Sequence, residues 1–293
     1  MNFYVKPVSY REEGHFFVAH SYGCIYDCEF CFLKTHTKHP YPVFQNIDNV
    51  ITQIKKVIET YEERQSKNKL RFHLGEVCDA LALDKISRLS EKIVEFARFH
   101  PQVEFEFRTR TGGNNLDLPQ NPPENVIISW SFSPETIWRK YEHKTPSPKA
   151  RLEASLDAQR KGYRVGLRFD PILIFDQWNY EYEEVIAQLS GLNKNLLDSY
   201  IEIGVFRGTQ KLFDEIKYRY PRSDILNQEF VMCEDGKLRY ARHIRIYVYY
   251  TLAKLLRANG FNSEIKLCME PKWMERDFKC ILDKEVEFAF LIT

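Results

Sequence analysis

Glycine is scarce in this chain, 12 of 293 residues, while large aromatics are plentiful at 21 Phe and 17 Tyr. That combination excludes fibrous and low-complexity architectures. Neither sign of charge dominates: 42 Lys and Arg against 41 Asp and Glu leave a net charge of +1. No global basic field therefore announces a nucleic-acid partner. No run approaches the roughly twenty apolar residues of a membrane span. The first ten residues carry neither an apolar h-region nor a cleavage pattern, so a cytoplasmic location is expected. Disulfide scaffolding is also not expected. The seven cysteines are an odd number, and three of them crowd into the stretch from Cys24 to Cys31, which suits an intracellular metal site. With 44% hydrophobic residues, the chain can bury one large core.

Strand-like and helix-like stretches alternate. Strands are expected at residues 16–20, 70–74, 103–109, 126–132, 164–169 and 200–206, with a short final one at 265–269. In the third, Val103, Phe105 and Phe107 alternate toward a core. Between them, Ile47, Val50, Ile51, Ile54, Val57, Ile58 and Tyr61 recur at helical spacing behind a cap at Asn46 or Asp48. Asp84 opens a helix with Ile86, Leu89, Ile93 and Phe96 on one face. Further helices span 148–161, stopping at Gly162, then 179–189, and 240–258, stopping at Gly260. After Pro221 the pattern is irregular before that last helix. Six strand–helix units in series predict an α/β fold with parallel strands and outer helices. Chemistry then belongs at the strand C-terminal ends. There stand the cysteines, Gly75 and Glu76, Arg110, Ser131 to Ser133, Asp170 and Arg207.

The stretch Cys24-Ile-Tyr-Asp-Cys28-Glu-Phe-Cys31 is a C-x3-C-x2-C motif. Three thiolates on one compact loop suit a [4Fe–4S] cubane, which takes soft sulfur ligands. Three ligands for four irons leave one iron open to chelate the amino and carboxylate groups of S-adenosylmethionine (SAM). The alternative is a structural zinc, with His36 or His39 as fourth ligand.

Beyond the cysteines, an ordered series of segments resembles the spore photoproduct lyase family of radical-SAM DNA repair enzymes. Cys31-Phe-Leu-Lys is similar to its C-Y-L-Q, and Pro42-Val-Phe-Gln-Asn46 also recurs there. Gly75-Glu-Val-Cys-Asp79-Ala-Leu-Ala-Leu is similar to its G-E-x-x-D-S-L-A-L. Ser129-Trp-Ser-Phe-Ser133 and Tyr141-Glu-His-Lys-Thr145 resemble its S-V-N and F-E-P-G-T. Gly162-Tyr-Arg-Val-Gly166-Leu-Arg-Phe-Asp170-Pro-Ile is close to G-Y-x-V-G-F-x-F-D-P-I. Glu234 to Tyr240 and Leu267 to Glu270 recur as well. The resemblance implies a partial (β/α)6 barrel over residues 1–206. Residues 207–293 then form a helical or irregular extension packed on that core, a candidate substrate-binding part. It implies a [4Fe–4S] cluster on Cys24, Cys28 and Cys31, bound SAM, a 5′-deoxyadenosyl radical, and light-independent reversal of a methylene-bridged thymine pair. The partners implied are a DNA or nucleotide substrate and a low-potential reductant of flavodoxin or ferredoxin type.

Site roles follow from the same resemblance. Phe30 would pack on adenine, a role compatible with ordinary core packing. Glu76 would accept from the SAM amino group, where a solvated loop acid is the alternative. Arg110 stands where the family has lysine and would bind the SAM carboxylate or ribose. Ser131 matches a serine that bonds the ribose or carboxylate. Asp170 would touch a ribose hydroxyl or cap a loop, and residues 203–205 would offer backbone groups to adenine. Tyr141, Glu142 and His143 line a substrate mouth or a surface loop. Characterised members return a hydrogen atom from a cysteine that has one residue between it and the following Asp. Cys78 directly precedes Asp79, so it is either an offset equivalent or a small buried residue. Arg207, Lys211, Lys217, Arg219, Arg222, Lys237, Arg239, Arg242 and Arg245, interleaved with Tyr218, Tyr220 and Tyr240, suit phosphates and a flipped base. Interspersed acids allow a mixed solvated face instead. Two other functions stay open: a radical-SAM enzyme for a small molecule, peptide or RNA, and a zinc-dependent nucleic-acid-binding protein.

Overall fold

The structure, a computed structural model, describes residues 4–11, 13–36, 41–63 and 69–284. An eight-stranded sheet organises it, in the order Val5–Pro7, His15–Val18, Leu70–Leu74, Val103–Thr109, Val126–Ser131, Arg164–Ile172, Tyr200–Val205, Glu264–Leu267. From His15–Val18 onward all neighbours are parallel; Val5–Pro7 is antiparallel and was not expected. Parallel neighbours need long crossovers. Helices Ile47–Glu63, Leu89–Arg98, Pro148–Arg160, Trp178–Leu189 and Arg242–Ala258 lie within them. The two end strands do not pair with each other. Yet Tyr10 near one end and Cys268 beside the other line a common cavity. The sheet is therefore curled into a half-barrel.

Local chemistry sets the helix ends. The Asn46 side chain accepts from the backbone N–H groups of Asp48 and Asn49 at 2.9 and 3.2 Å, so Asn46 is the cap. Ser147 caps Pro148–Arg160. One expectation fails at Ile86, which is 75% exposed. Arg88 takes a φ of +50° and breaks the pattern into a single turn, Asp84–Ser87, and a helix, Leu89–Arg98. The break turns Ile86 away from the core, while Asp84 accepts from the Ser90 N–H and hydroxyl. Helices Gln210–Arg219 and Lys272–Lys284 and a three-stranded sheet of Arg207–Thr209, Lys237–Arg239 and Val231–Met232 occupy stretches with no expected element. No helix among the described residues is long and apolar enough to cross a membrane.

The convex face of the sheet is apolar. Phe16, Phe72 and Phe105 share a row across it, each buried and worth about 1.5–3 kcal/mol by area. The concave face is different. Its rows hold His15, Arg71 and Glu104, then His73 and Glu106, then Arg108 beside Ser129, and Arg168 beside Glu202. All but His15 are buried. Buried charges persist only when paired. Arg71 accordingly binds Glu104 and Asp198, Arg108 binds Glu106, and Arg168 binds Glu202, while His73, which burial keeps neutral, hydrogen-bonds Glu106.

Candidate active site

The cysteine loop leaves the His15–Val18 strand and is pinned on three sides. Gly23 donates to the Val77 carbonyl at 3.0 Å, and Glu29 to the Tyr141 carbonyl at 2.8 Å. Asp27 accepts from the Lys34 ammonium and the Tyr220 hydroxyl. Cys28 closes a turn onto Cys31, and the helical turn Leu33–His36 follows. Burial pushes all three thiols up. Deprotonation in this loop is thus favoured only when a metal takes the charge.

The donor set fits a cluster better than a single ion. A tetrahedral zinc with Zn–S of about 2.3 Å would draw three sulfurs to roughly 3.8 Å of one another. Among the described residues, Cys24, Cys28 and Cys31 form no group with ligand atoms all within 4.8 Å of each other. Three sulfurs spread around one opening are what the corners of a cubane require. His36 is exposed and joins no such group; His39 lies outside the described residues. Among the described residues, the group that does converge is Asp170, Glu202 and Cys268. Its counter-charges are Arg207, Arg168 and Arg11.

Cys24, Cys28, Phe30, Cys31, Glu76, Cys78, Arg110, Ser131 and Asp170 all line one cavity of about 530 Å³ at the strand C-terminal ends. Gly75 opens its floor with a φ of +108°, and a Cβ there would stand 2.5 Å from the Arg108 carbonyl. Glu76 follows, half-buried, taking hydrogen bonds from Arg108 and, at 3.1 Å, from Tyr10. Cys78 packs with its Sγ 3.5 Å from His20 Nε2. Burial holds its thiol up at about 12, against a smaller lowering by Ser21. Neighbouring Asp79 accepts from Thr109 Oγ1 and from the N–H groups of Leu81, Ala82 and Arg110, which fixes the loop.

Arg110 is more constrained than its expected role implies. It donates to Glu142 at 2.6 Å and to the Asp170 carbonyl at 2.8 Å, and lies over the Phe30 ring at 5.3 Å. Among the described residues no hydrogen bond uses the Ser131 hydroxyl, while its carbonyl accepts from Arg151. Burial alone would raise the Asp170 carboxyl. The charge and hydrogen bond of Arg207, 2.7 Å away, together with Arg168 and Cys268, offset that and bring it to about 2.

Other expectations are corrected. Tyr141 and Glu142 are buried and form neither a surface loop nor a wall of the cavity; Glu142 joins Arg110 to Arg151. Within residues 203–205, the Ile203 carbonyl accepts from Cys268 and the Val205 N–H donates to the Tyr249 hydroxyl, so these two groups already serve the fold. The segment from Arg207 to Arg245 is not a continuous basic face. Arg207, Arg239 and Arg245 pair with Asp170, Asp235 and Glu270, and Tyr240 is buried. Lys211, Lys217, Tyr218 and Arg222 remain exposed. Sequence reasoning missed Tyr10, Arg108, Arg168 and Cys268 as cavity residues. The available signal was a period-two run of charge within the strands: Arg71, His73, Glu104, Glu106, Arg108.

A curled, mostly parallel sheet, a three-cysteine loop at the end of its first parallel strand and a carboxylate on the same cavity define a radical-SAM enzyme. The spore photoproduct lyase family model matches residues 10–269, and the chain belongs to that family, whose members carry a [4Fe–4S] cluster and use SAM. The chain is 23% identical over 227 residues to a spore photoproduct lyase of Clostridium acetobutylicum, covering 76% of this chain and 66% of the relative. It is 25% identical over 254 residues to one of a Geobacillus species, with 84% and 71% covered. The chain thus spans about two thirds of its curated relatives' length. A spore photoproduct lyase complexed with dinucleoside spore photoproduct superposes with a TM-score of 0.75 at 21% identity, over 86% of this chain and 76% of that one. Streptococcus suis SuiB bound to S-adenosylmethionine superposes at 0.53 and 10% identity, over 93% and 53%.

Proposed function

We propose that this chain is a SAM-dependent lyase that splits a methylene-bridged thymine pair in DNA. The observation that carries this is the shared cavity: the three cluster cysteines, Glu76 and a protonated Cys78 all open into it. Cys24, Cys28 and Cys31 would hold the cluster, which with SAM supplies a carbon-centred radical able to take hydrogen from the lesion. Glu76 would fix the SAM amino group, and the Ser131 hydroxyl the carboxylate or ribose. Phe30, backed by Arg110, offers a ring face to adenine. The role of Arg110 is then to hold Phe30, Glu142 and the Asp170 carbonyl together. Asp170, clamped by Arg207, shapes the far wall. Cys78 would return a hydrogen atom to the product radical. Its thiol stays S–H at neutral pH, which that step requires.

Residues 207–293 supply Arg207, Thr209, Leu212, Lys237 and Met269 to the same cavity, which supports a substrate-binding part there. Exposed Lys211, Lys217 and Arg222, with Tyr218, are the groups left to meet phosphates. The electron is expected from a flavodoxin- or ferredoxin-type reductant.

The test is anaerobic turnover with SAM, dithionite and a dinucleotide carrying the lesion. Release of the repaired pair is expected. Formation of 5′-deoxyadenosine with the lesion untouched would move the assignment to a small-molecule, peptide or RNA substrate.

A further inference from the structure

The half-barrel has an open side, because Val5–Pro7 and Glu264–Leu267 do not pair. One short loop crosses it. After Pro7 the chain turns, with Arg11 N–H donating to the Val8 carbonyl at 3.2 Å and Val8 N–H to the His15 carbonyl at 2.9 Å. Arg11 then reaches across to Glu202 on the Tyr200–Val205 strand, a partner 191 positions away in sequence. Both side chains are buried there, at 8% and 0% exposure. The guanidinium also lies over the Tyr200 ring at 5.4 Å. Pro7, Val8, Ser9 and Tyr10 thereby become one wall of the cavity.

The tip of this loop touches Glu76, the proposed acceptor for the SAM ammonium. Tyr10 donates to Glu76 Oε1 at 3.1 Å, and Arg108 donates to the same oxygen. Among the described residues no hydrogen bond uses Glu76 Oε2, and the side chain keeps 23% exposure. Two donors on one oxygen fix the carboxylate plane and leave the second oxygen for a cationic ligand.

We propose that residues 7–11 are a strap across the open side of the half-barrel, latched by Arg11 on Glu202, and that Tyr10 and Arg108 are positioning residues that orient Glu76 toward the ammonium group of SAM. The ligand part rests on the reading of Glu76 as the acceptor for that ammonium; the latch does not.

The experiment pairs hydrogen–deuterium exchange of the whole chain with SAM binding by equilibrium dialysis of the reconstituted protein. Arg11→Met should speed exchange at the Val8 and Arg11 amides about tenfold or more, with the Leu70–Leu74 strand unchanged, since only the local opening is altered. It should also weaken SAM binding, and Arg11→Lys should restore part of both. Tyr10→Phe should keep the slow strap exchange but weaken SAM binding by about three- to tenfold, because the lost bond orients Glu76 and does not itself touch SAM. Unchanged exchange in Arg11→Met overturns the latch. Unchanged SAM affinity in Tyr10→Phe, where Glu76→Gln does weaken it, overturns the positioning. Wild-type SAM affinity in Glu76→Gln removes the reading of Glu76 itself and the positioning with it, while the exchange data still decide the latch. If Arg11→Met fails to fold, Glu202→Gln with the same exchange readout takes its place.

Discussion

The cysteine loop and the segment from Arg207 to Arg245 both carry chemistry-bearing residues at high density, but they end differently. The three thiols on the loop stand around a common opening and are raised by burial, which exceeds the lowering that Arg110 exerts on Cys28 and Cys31. The arginines of the second segment are mostly spent on the fold: Arg207 on Asp170, Arg239 on Asp235, Arg245 on Glu270. Residue type alone does not separate a site from a scaffold. The difference is whether the fold already satisfies the group, since a buried charge left alone is too costly to survive without a partner.

That contrast can be broken in order of expected effect. Alanine at Cys24, Cys28 or Cys31 should abolish iron binding after anaerobic reconstitution, while alanine at Cys233 or Cys280 should leave the iron content unchanged. Arg245→Met strands Glu270, and both side chains are buried. It should destabilise the protein by about 3–5 kcal/mol in chemical denaturation without changing the salt dependence of DNA binding. An altered salt slope in a folded Arg245 variant would put that arginine on the DNA after all.

Smaller effects sharpen the comparison. The Asp170 carboxyl sits at about 2 in the fold against 3.8 when free. Its pairing therefore contributes stability above pH 4, roughly 2 kcal/mol, lost as pH falls toward 2. Denaturation midpoints between pH 5 and 2 should fall less steeply in Asp170→Asn than in the wild type. Smallest of all, Lys211→Ala combined with Lys217→Ala should lower DNA affinity modestly and cut the log–log salt slope by about 2, because each phosphate left unneutralised keeps its counterion. No change in slope would take Gln210–Arg219 off the nucleic-acid path.

Much of this could be had from the sequence, for a physical reason. The barrel strands announce themselves through Val103, Phe105 and Phe107 and their neighbours, because one face packs on helices in every strand. The site residues at strand ends follow once the strands are placed, since the fold carries its chemistry there. The concave face hid itself. Arg71, Glu104, Glu106 and Arg108 look like solvent-facing positions, and only the pairing of distant strands shows that they neutralise each other indoors. Tyr10 and Arg11 were silent for the same reason: Glu76 and Glu202, their partners, lie 66 and 191 positions away. Ile86 misled because Arg88 adopts a left-handed backbone that no periodicity signals.

The central claim is that Cys24, Cys28 and Cys31 would hold a [4Fe–4S] cluster that leaves one iron to SAM, in the cavity they share with Glu76. The most direct measurement is electron paramagnetic resonance of the anaerobically reconstituted, dithionite-reduced protein, with and without SAM. The account predicts about four irons per chain, a reduced-cluster signal that SAM shifts, and loss of that signal with any of the three cysteines changed. A colourless protein holding one zinc, or a cluster signal indifferent to SAM, would contradict it.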